Sequence, residues 1–278
     1  MSKVWLITGS SRGFGRELAI AALEEGDRVV ATARRPEQLD DLRAKYGDQV
    51  RTTALDVTDP AAARAAVTLA AEAFGRLDVV ANNAGYGNSA PIEEMADDDF
   101  RAQVEANFFG VVNVTRAALP VLRAQRSGLF LQFSSIGGRV GGTPGMGAYQ
   151  AAKFAVEGFS EVLAAETEPF GVKVVIVEPG AFRTDWQATL TLAEVGADYA
   201  ETVGKLNEWR AANQGDQPGD PARAAAILLR VAALDNPPRR LLLGAGAVES
   251  AVRADAARAA ETAQWADLGR SADYPSAG

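Results

Sequence analysis

Tyr149 and Lys153 stand four residues apart in a sequence that contains no histidine and no cysteine. On a helix that spacing puts both side chains on one face, a turn apart, so an ammonium sits beside a phenol. A neighbouring cation stabilises phenolate, and a phenol that ordinarily titrates near ~10 moves towards the range where general acid-base catalysis is efficient. The missing residue types narrow the chemistry further. Thiol nucleophiles, disulfide scaffolds, zinc sites built on Cys or His and Ser-His-Asp triads are excluded by inventory. Acid-base work falls to Tyr, Lys, Asp or Glu, and no metal site is expected. As isolated residues the pair reads more readily as a helix tyrosine with a surface lysine, so the surrounding elements must decide.

Residues 3–8 form a short apolar run of strand length, followed by Gly9-Ser10-Ser11-Arg12-Gly13-Phe14-Gly15 and then by a helical pattern. Glycines let the backbone turn tightly against a ligand, and the exposed N–H groups of a first helical turn attract phosphate. This is the setting of a dinucleotide fingerprint, here spaced T-G-x-x-x-G-x-G. The second predicted strand, 27–33, ends in Arg34-Arg35 where a dinucleotide fold often carries an acid for the ribose hydroxyls. A basic residue there accommodates a 2′-phosphate, and Arg12 reaches the same region, so NADP is favoured over NAD. Predicted strands follow at 49–54, 77–81, 128–134, 172–177 and 240–243, with helices between them. Asp56, at the end of the third, is either an adenine contact or a turn residue. Asn82 and Asn83 follow the fourth, as strand ties or ligand contacts. Asn107 falls inside a long helix predicted over 97–123, where asparagine is disfavoured.

Strands alternating with helices predict an α/β doubly wound parallel sheet of about seven strands, helices on both faces, ordered 3-2-1-4-5-6-7. The 278 residues suit one domain spanning 1–278. The irregular stretch 185–220 mixes Trp186, Leu190, Leu192, Tyr199 and Trp209 with polar residues and reads as a substrate lid; the tail after 270 reads as loosely held. Hydrophobic residues at 47% and charged residues at 23% fit a soluble globular chain. The balance of 28 basic and 36 acidic residues, net −8, disfavours nucleic acid and anionic membrane as partners. No signal pattern or membrane-length apolar run is present, so a cytoplasmic location is expected.

These residues resemble the short-chain dehydrogenase/reductase family, in its single-domain branch, over nearly the whole chain. The motifs that carry the likeness are the loop from Thr8 to Gly15, Asn82-Asn83-Ala84-Gly85, the Y-x-x-x-K of Tyr149 and Lys153 with a serine upstream, and Pro179-Gly180 downstream. The resemblance implies catalytic roles for Asn107, Ser135, Tyr149 and Lys153. Tyr149 would exchange a proton with the substrate oxygen, Ser135 would stabilise that oxygen, Lys153 would lower the tyrosine pKa and hold the nicotinamide ribose, and Asn107 would hold a water linking Lys153 to solvent. It implies NADP(H) contacts from Gly9, Ser11, Arg12, Gly13, Phe14, Gly15, Arg34, Asp56, Val57, Asn83, Ala84, Gly85, Tyr149, Lys153, Pro179, Gly180, Phe182 and Thr184. The serine-to-tyrosine spacing of 149 − 135 = 14 is one longer than the commonest in the family, with Gly141, Gly142 and Gly145 to absorb it and Ser134 as the alternative serine.

The implied reaction interconverts a carbonyl and a secondary alcohol on a largely apolar small molecule. Ser135, Met146, Tyr149, Trp186 and residues between Leu190 and Trp209 are expected around it. A nucleotide-binding regulator of the same fold is the alternative, although such a protein is expected to lose the tyrosine or lysine. Apolar residues on the helices of Asn107 and Tyr149, among them Phe154, Val156, Phe159 and Leu163, suggest a homo-dimer or homo-tetramer.

Overall fold

Short β-branched and aliphatic runs have no polar face to give to solvent, so they are stable only where helices cover both sides. The computed structural model describes residues 2–186 and 189–274. In it β1 (Val4–Ile7) leads through the glycine loop into α1 (Gly13–Glu24), then β2 (Arg28–Ala33), α2 (Asp40–Tyr46), β3 (Val50–Ala54), α3 (Pro60–Phe74) and β4 (Val79–Asn82). A two-residue strand, β5 (Asn88–Ser89), precedes α4 (Asp97–Val104), α5 (Gly110–Gln125), β6 (Gly128–Phe133), the short α6 (Ile136–Arg139), α7 (Gly147–Thr167) and β7 (Val172–Pro179). Then come β8 (Thr191–Leu192), α8 (Lys205–Ala212), α9 (Pro221–Ala232), β9 (Arg240–Leu243) and α10 (Ala245–Arg270).

Seven strands form one parallel sheet in the order β3-β2-β1-β4-β6-β7-β9, which is the predicted order when β5 and β8 are set aside. Alternation along β1 divides the core. Trp5 and Ile7 pack with α1 residues Leu18 and Leu23 and α9 residue Leu228 on one face. Val4 and Leu6 pack with Ala63 and Val67 of α3, Val114 and Leu122 of α5 and Leu163 of α7 on the other. Helix starts follow local chemistry: Asp59 Oδ1 accepts from Ala61 N–H at 2.7 Å with Pro60 in the first turn, and Asp220 Oδ1 accepts from Ala222 N–H at 2.9 Å.

Three expectations need correction, and one element was not anticipated. The helix predicted over 97–123 is interrupted by a π turn, Glu105–Phe109, which places Asn107 at its centre. β5 and β8 make a separate two-stranded parallel sheet, pairing Asn88 with Thr191 and Ser89 with Leu192, inside stretches that read as loop. The element not anticipated is the helix of residues 245–270, whose small-residue pattern carries no clear apolar stripe; residues 275–278 of the tail expected to be loosely held lie outside the described residues. Of the apolar residues assigned to an intersubunit face, Val156 and Leu163 are core, Phe159 packs against the core, and Phe154 is exposed.

A buried ion network ties the β7 side of the sheet together. Glu178 of β7 has no exposed surface; its Oε1 accepts from Arg240 Nη1 at 2.8 Å and its Oε2 from Arg139 Nη1 at 3.3 Å. Arg240 also pairs with Glu157 and Glu161 of α7. Arg240→Met would strand the buried carboxylate of Glu157 and leave Glu178 to Arg139 alone, and breaking a buried pair in this way costs roughly 3–5 kcal/mol. Urea denaturation should show a loss of that order; a loss below about 1 kcal/mol would mean that Arg139 and water satisfy both acids.

Candidate active site

The glycine loop forms because Gly9 and Gly13 take positive φ, 69° and 55°, where other residues are strained. Gly15 acts differently. A side chain there would collide with the Gly9 carbonyl, so its absence lets α1 cross close over the loop, and Gly15 is the one predicted cofactor residue that does not line the cleft. The Thr8 hydroxyl, which no motif singled out as a site group, accepts from the N–H groups of Asn83 and Ala84 at 2.9 Å each. Asn83 Nδ2 returns bonds to the carbonyls of Thr8 (2.9 Å) and Gly9 (3.2 Å). Asn82 instead ties strands to α5, donating to Thr115 Oγ1 at 3.0 Å and Gln132 Oε1 at 2.8 Å.

Above the strand ends lies a cleft of about 1190 Å³. Gly9, Ser11, Arg12, Gly13 and Phe14 form one wall, Arg34, Asp56 and Val57 a second, and Asn83, Ala84 and Gly85 a third. Arg35 lines it beside Arg34, and Gln38, Thr58, Tyr86 and Glu105, which were not anticipated, line it too. Asp56 is both a turn residue and a wall residue. The backbone N–H of Thr58 (3.0 Å) and then its hydroxyl (2.8 Å) hold the carboxyl below the usual range, with Arg34 adding to the effect. A dinucleotide fits this donor set: small residues admit its backbone, the loop N–H groups meet phosphate, and Arg12 and Arg34 bring positive charge to the adenosine side.

The cleft continues into a smaller pocket of about 170 Å³ floored by Tyr149 and Lys153 and walled by Asn107, Ser135, Phe182, Thr184 and Trp186, with Pro179 and Gly180 at its far side. Ser135 caps α6, accepting from Gly137 N–H at 3.1 Å, and its side chain shares the pocket with the Tyr149 phenol. Ser134 turns inward and donates to the Lys153 carbonyl at 3.4 Å. The long serine-to-tyrosine spacing is taken up by Gly141, Gly142 and Gly145, with φ of 75°, 75° and 80°. Trp186 covers the phenol with ring centroids 5.3 Å apart, and Phe182 packs on Phe14 at 4.8 Å. Met146 is buried behind this surface without lining the pocket, and Trp209 is exposed.

Asn107 holds the neighbouring loop from the π turn. Its Nδ2 donates to the carbonyls of Tyr86 (2.8 Å) and Gln103 (2.9 Å), and its Oδ1 accepts from Tyr86 N–H at 3.2 Å. Lys153 Nζ is 5.6 Å from the Tyr149 ring centre and donates to the Phe133 carbonyl at 2.8 Å. This geometry reverses the expected pKa shift of the phenol. Burial pushes Tyr149 up to about 12, opposed by the neighbouring Ser135 hydroxyl, and burial pulls Lys153 down to about 8, opposed by the Glu157 carboxylate. The ammonium is spent on a carbonyl instead of on a phenolate.

A parallel sheet with a glycine loop at its opened centre, feeding a pocket built on a Tyr-Lys pair, defines an oxidoreductase of the nucleotide-binding α/β class. The chain belongs to the short chain dehydrogenase family, whose model matches residues 3–194. It is similar to Oxidoreductase BOA17 of Botryotinia fuckeliana, 49% identical over 96% of this chain and 98% of that protein. Its fold matches a short-chain dehydrogenase from Streptomyces avermitilis with a TM-score of 0.91 and 41% identity, each chain covered to 98%. A more distant structure, an alcohol dehydrogenase from Thermococcus sibiricus complexed with 5-hydroxy-NADP, aligns with a TM-score of 0.71 and 26% identity over 87% of this chain and 96% of that one. Family neighbours therefore bind NADP-type ligands.

The shifted pair has a signature in stability. Lys153 titrates near 8 in the folded protein against an ordinary 10.5, so its burial penalty is full below pH 8 and is lifted as pH rises to 10.5. Tyr149, near 12 against 10.0, contributes stability that is full below pH 10 and is lost as pH rises towards 12. Thermal melts of the ligand-free protein across alkaline pH should show Lys153→Met lacking the first rise and Tyr149→Phe lacking the later fall. Parallel profiles for wild type and Lys153→Met between pH 8 and 10.5 would contradict the assigned shift.

Proposed function

We propose that this protein moves hydride between NADP(H) and a carbonyl or secondary alcohol of a largely apolar small molecule, with Tyr149 as the general acid/base. The observation that carries the reading is the Tyr149 phenol, set in one pocket with Ser135 and covered by Trp186, where that pocket opens into the cleft holding Arg12 and Arg34. The bound nicotinamide supplies or accepts the hydride. At neutral pH the buried phenol keeps its proton, which suits it to donate to the oxygen of a carbonyl during reduction. Ser135 Oγ bonds the same substrate oxygen and stabilises charge developing there.

Lys153 would hold the nicotinamide ribose and bring positive charge towards the phenol, drawing its pKa down from the value set by burial alone. Gly85 has no side chain to separate Asn107 Oδ1 from Lys153 Nζ, and a water carried by Asn107 would connect Lys153 to solvent. The 185–220 segment acts as the lid. Its Trp186 and Leu190 face Gly87, and β8 joins it to β5. These apolar groups exclude water from the reacting carbon and favour a substrate with an apolar body.

Steady-state oxidation of NADPH with a panel of apolar ketones tests the reading. Tyr149→Phe should lower kcat by about 10²- to 10⁴-fold while NADPH still binds. Binding without turnover of any ketone would point instead to a nucleotide-binding regulator.

Cofactor choice has its own check. Titration by nucleotide fluorescence should show NADPH bound more tightly than NADH, and Arg34→Ala should weaken NADPH by about 10- to 100-fold with little effect on NADH. An equal loss for both nucleotides would remove the 2′-phosphate role from Arg34.

A further inference from the structure

Arg210 of α8 is half-buried in the lid, and its hydrogen bonds go to neutral groups. Its Nη1 donates to Ser89 Oγ at 2.8 Å and to Asn207 Oδ1 at 3.0 Å. Among the described residues no charged group acts on it, and burial alone pulls its pKa below the ordinary value. The amide of Asn207, which also accepts from Ser89 Oγ at 2.7 Å, has a buried Nδ2 without a hydrogen-bond partner, although the residue is only 7% exposed. A desolvated cation with no anion, beside a buried donor with no acceptor, is an unfavourable arrangement that an anionic group would relieve.

The cluster stands on the substrate side. Ser89, in the two-residue strand β5, follows Gly87 by two residues. A side-chain carbon at Gly87 would come within 2.9 Å of Trp186, whose ring covers Tyr149 at 5.3 Å. Ser89 lies about 7 Å further along that wall, against Gly145, whose carbonyl accepts from Ala90 N–H at 3.0 Å and which precedes Tyr149 by four residues.

We propose that Arg210 and Asn207 form a subsite for a carboxylate on the substrate, which makes the substrate an oxo acid, or the matching hydroxy acid, whose apolar chain runs from Tyr149 beneath the lid. One guanidinium matches the single charge of a carboxylate, whose two oxygens accept from the unbonded Nε and Nη2 or from Asn207 Nδ2. A phosphate dianion would leave one charge unbalanced. The inference rests on the carbonyl-reductase reading given above, so its test includes a measurement that needs no turnover.

Oxo fatty acids of graded chain length are compared with their methyl esters as substrates. At the matching length wild type should favour the acid by about 10- to 100-fold in kcat/KM, and Arg210→Met should erase that preference while Arg210→Lys retains part of it. In parallel, calorimetry with the hydroxy acids and the protein–NADP complex should show binding that Arg210→Met or, if that variant fails to fold, Asn207→Ala weakens at least tenfold. Wild type that turns over acid and ester equally at every length overturns the subsite. A fall of acid and ester by the same factor in Arg210→Met also overturns it, since that is the behaviour of a lid latch. Arg210-dependent acid binding without turnover of any ketone would sustain the subsite and defeat the reductase reading.

Discussion

The cleft exists because the chain reverses direction across the sheet between β1 and β4. Strands β2 and β3 extend the sheet one way from β1, and β4, β6, β7 and β9 extend it the other. The connecting helices consequently lie on opposite faces and leave a gap above the central strand ends, where ligands of such sheets bind. The gap is held at a fixed width by a reciprocal set of bonds between Thr8 and Asn83, which satisfies backbone groups that diverging strands would otherwise leave unpaired. The glycine loop, the arginines beyond it and the Tyr149 pocket all take their positions from that joint.

Electrostatically the site is a problem of burial. Lys153 and Glu157 lie one turn apart on α7 and are 4% and 5% exposed, and the latter is balanced by Arg240, which also serves Glu178. Ser134 contributes here as a support: its hydroxyl lies between the Lys153 carbonyl and the Glu157 side chain, which leaves Ser135 to face the phenol. The carboxylate of Glu157 keeps part of the charge that desolvation would remove from Lys153. Thus the Tyr149–Lys153 pair depends on an ion network that reaches through β7 to the edge strand.

The features legible in the sequence were those encoded locally. Strand lengths, the glycine loop and the four-residue Tyr-Lys spacing are short-range patterns, and strand–helix alternation together with the glycine loop after β1 pointed to the observed strand order. What stayed hidden depended on distant partners. Nothing near Asn107 announces a π turn, because the turn is tied to a loop 21 residues earlier. Spacing placed an ammonium near a phenol but could not reveal that the Phe133 carbonyl would take its hydrogen bond. Adjacent serines were indistinguishable until the packing of α7 turned one inward. Val156 and Leu163 read as a docking face because helical periodicity does not say how many neighbours a helix has, and here the core claims both.

The far wall of the pocket hangs on the last strand. Gly180 N–H donates to the Leu243 carbonyl at 2.9 Å, Phe182 bridges to Gly219, and its ring lies near Gly244. Each partner is separated from the glycine loop by about two hundred residues of chain. A ribosome that has delivered β1 to β4 has made the phosphate-binding half, with its loop and its first arginines, well before the wall beside Tyr149 can be assembled. During synthesis the cleft wall of the glycine loop and Arg34 is therefore complete first, and the pocket beside Tyr149 is enclosed only when β9 has emerged.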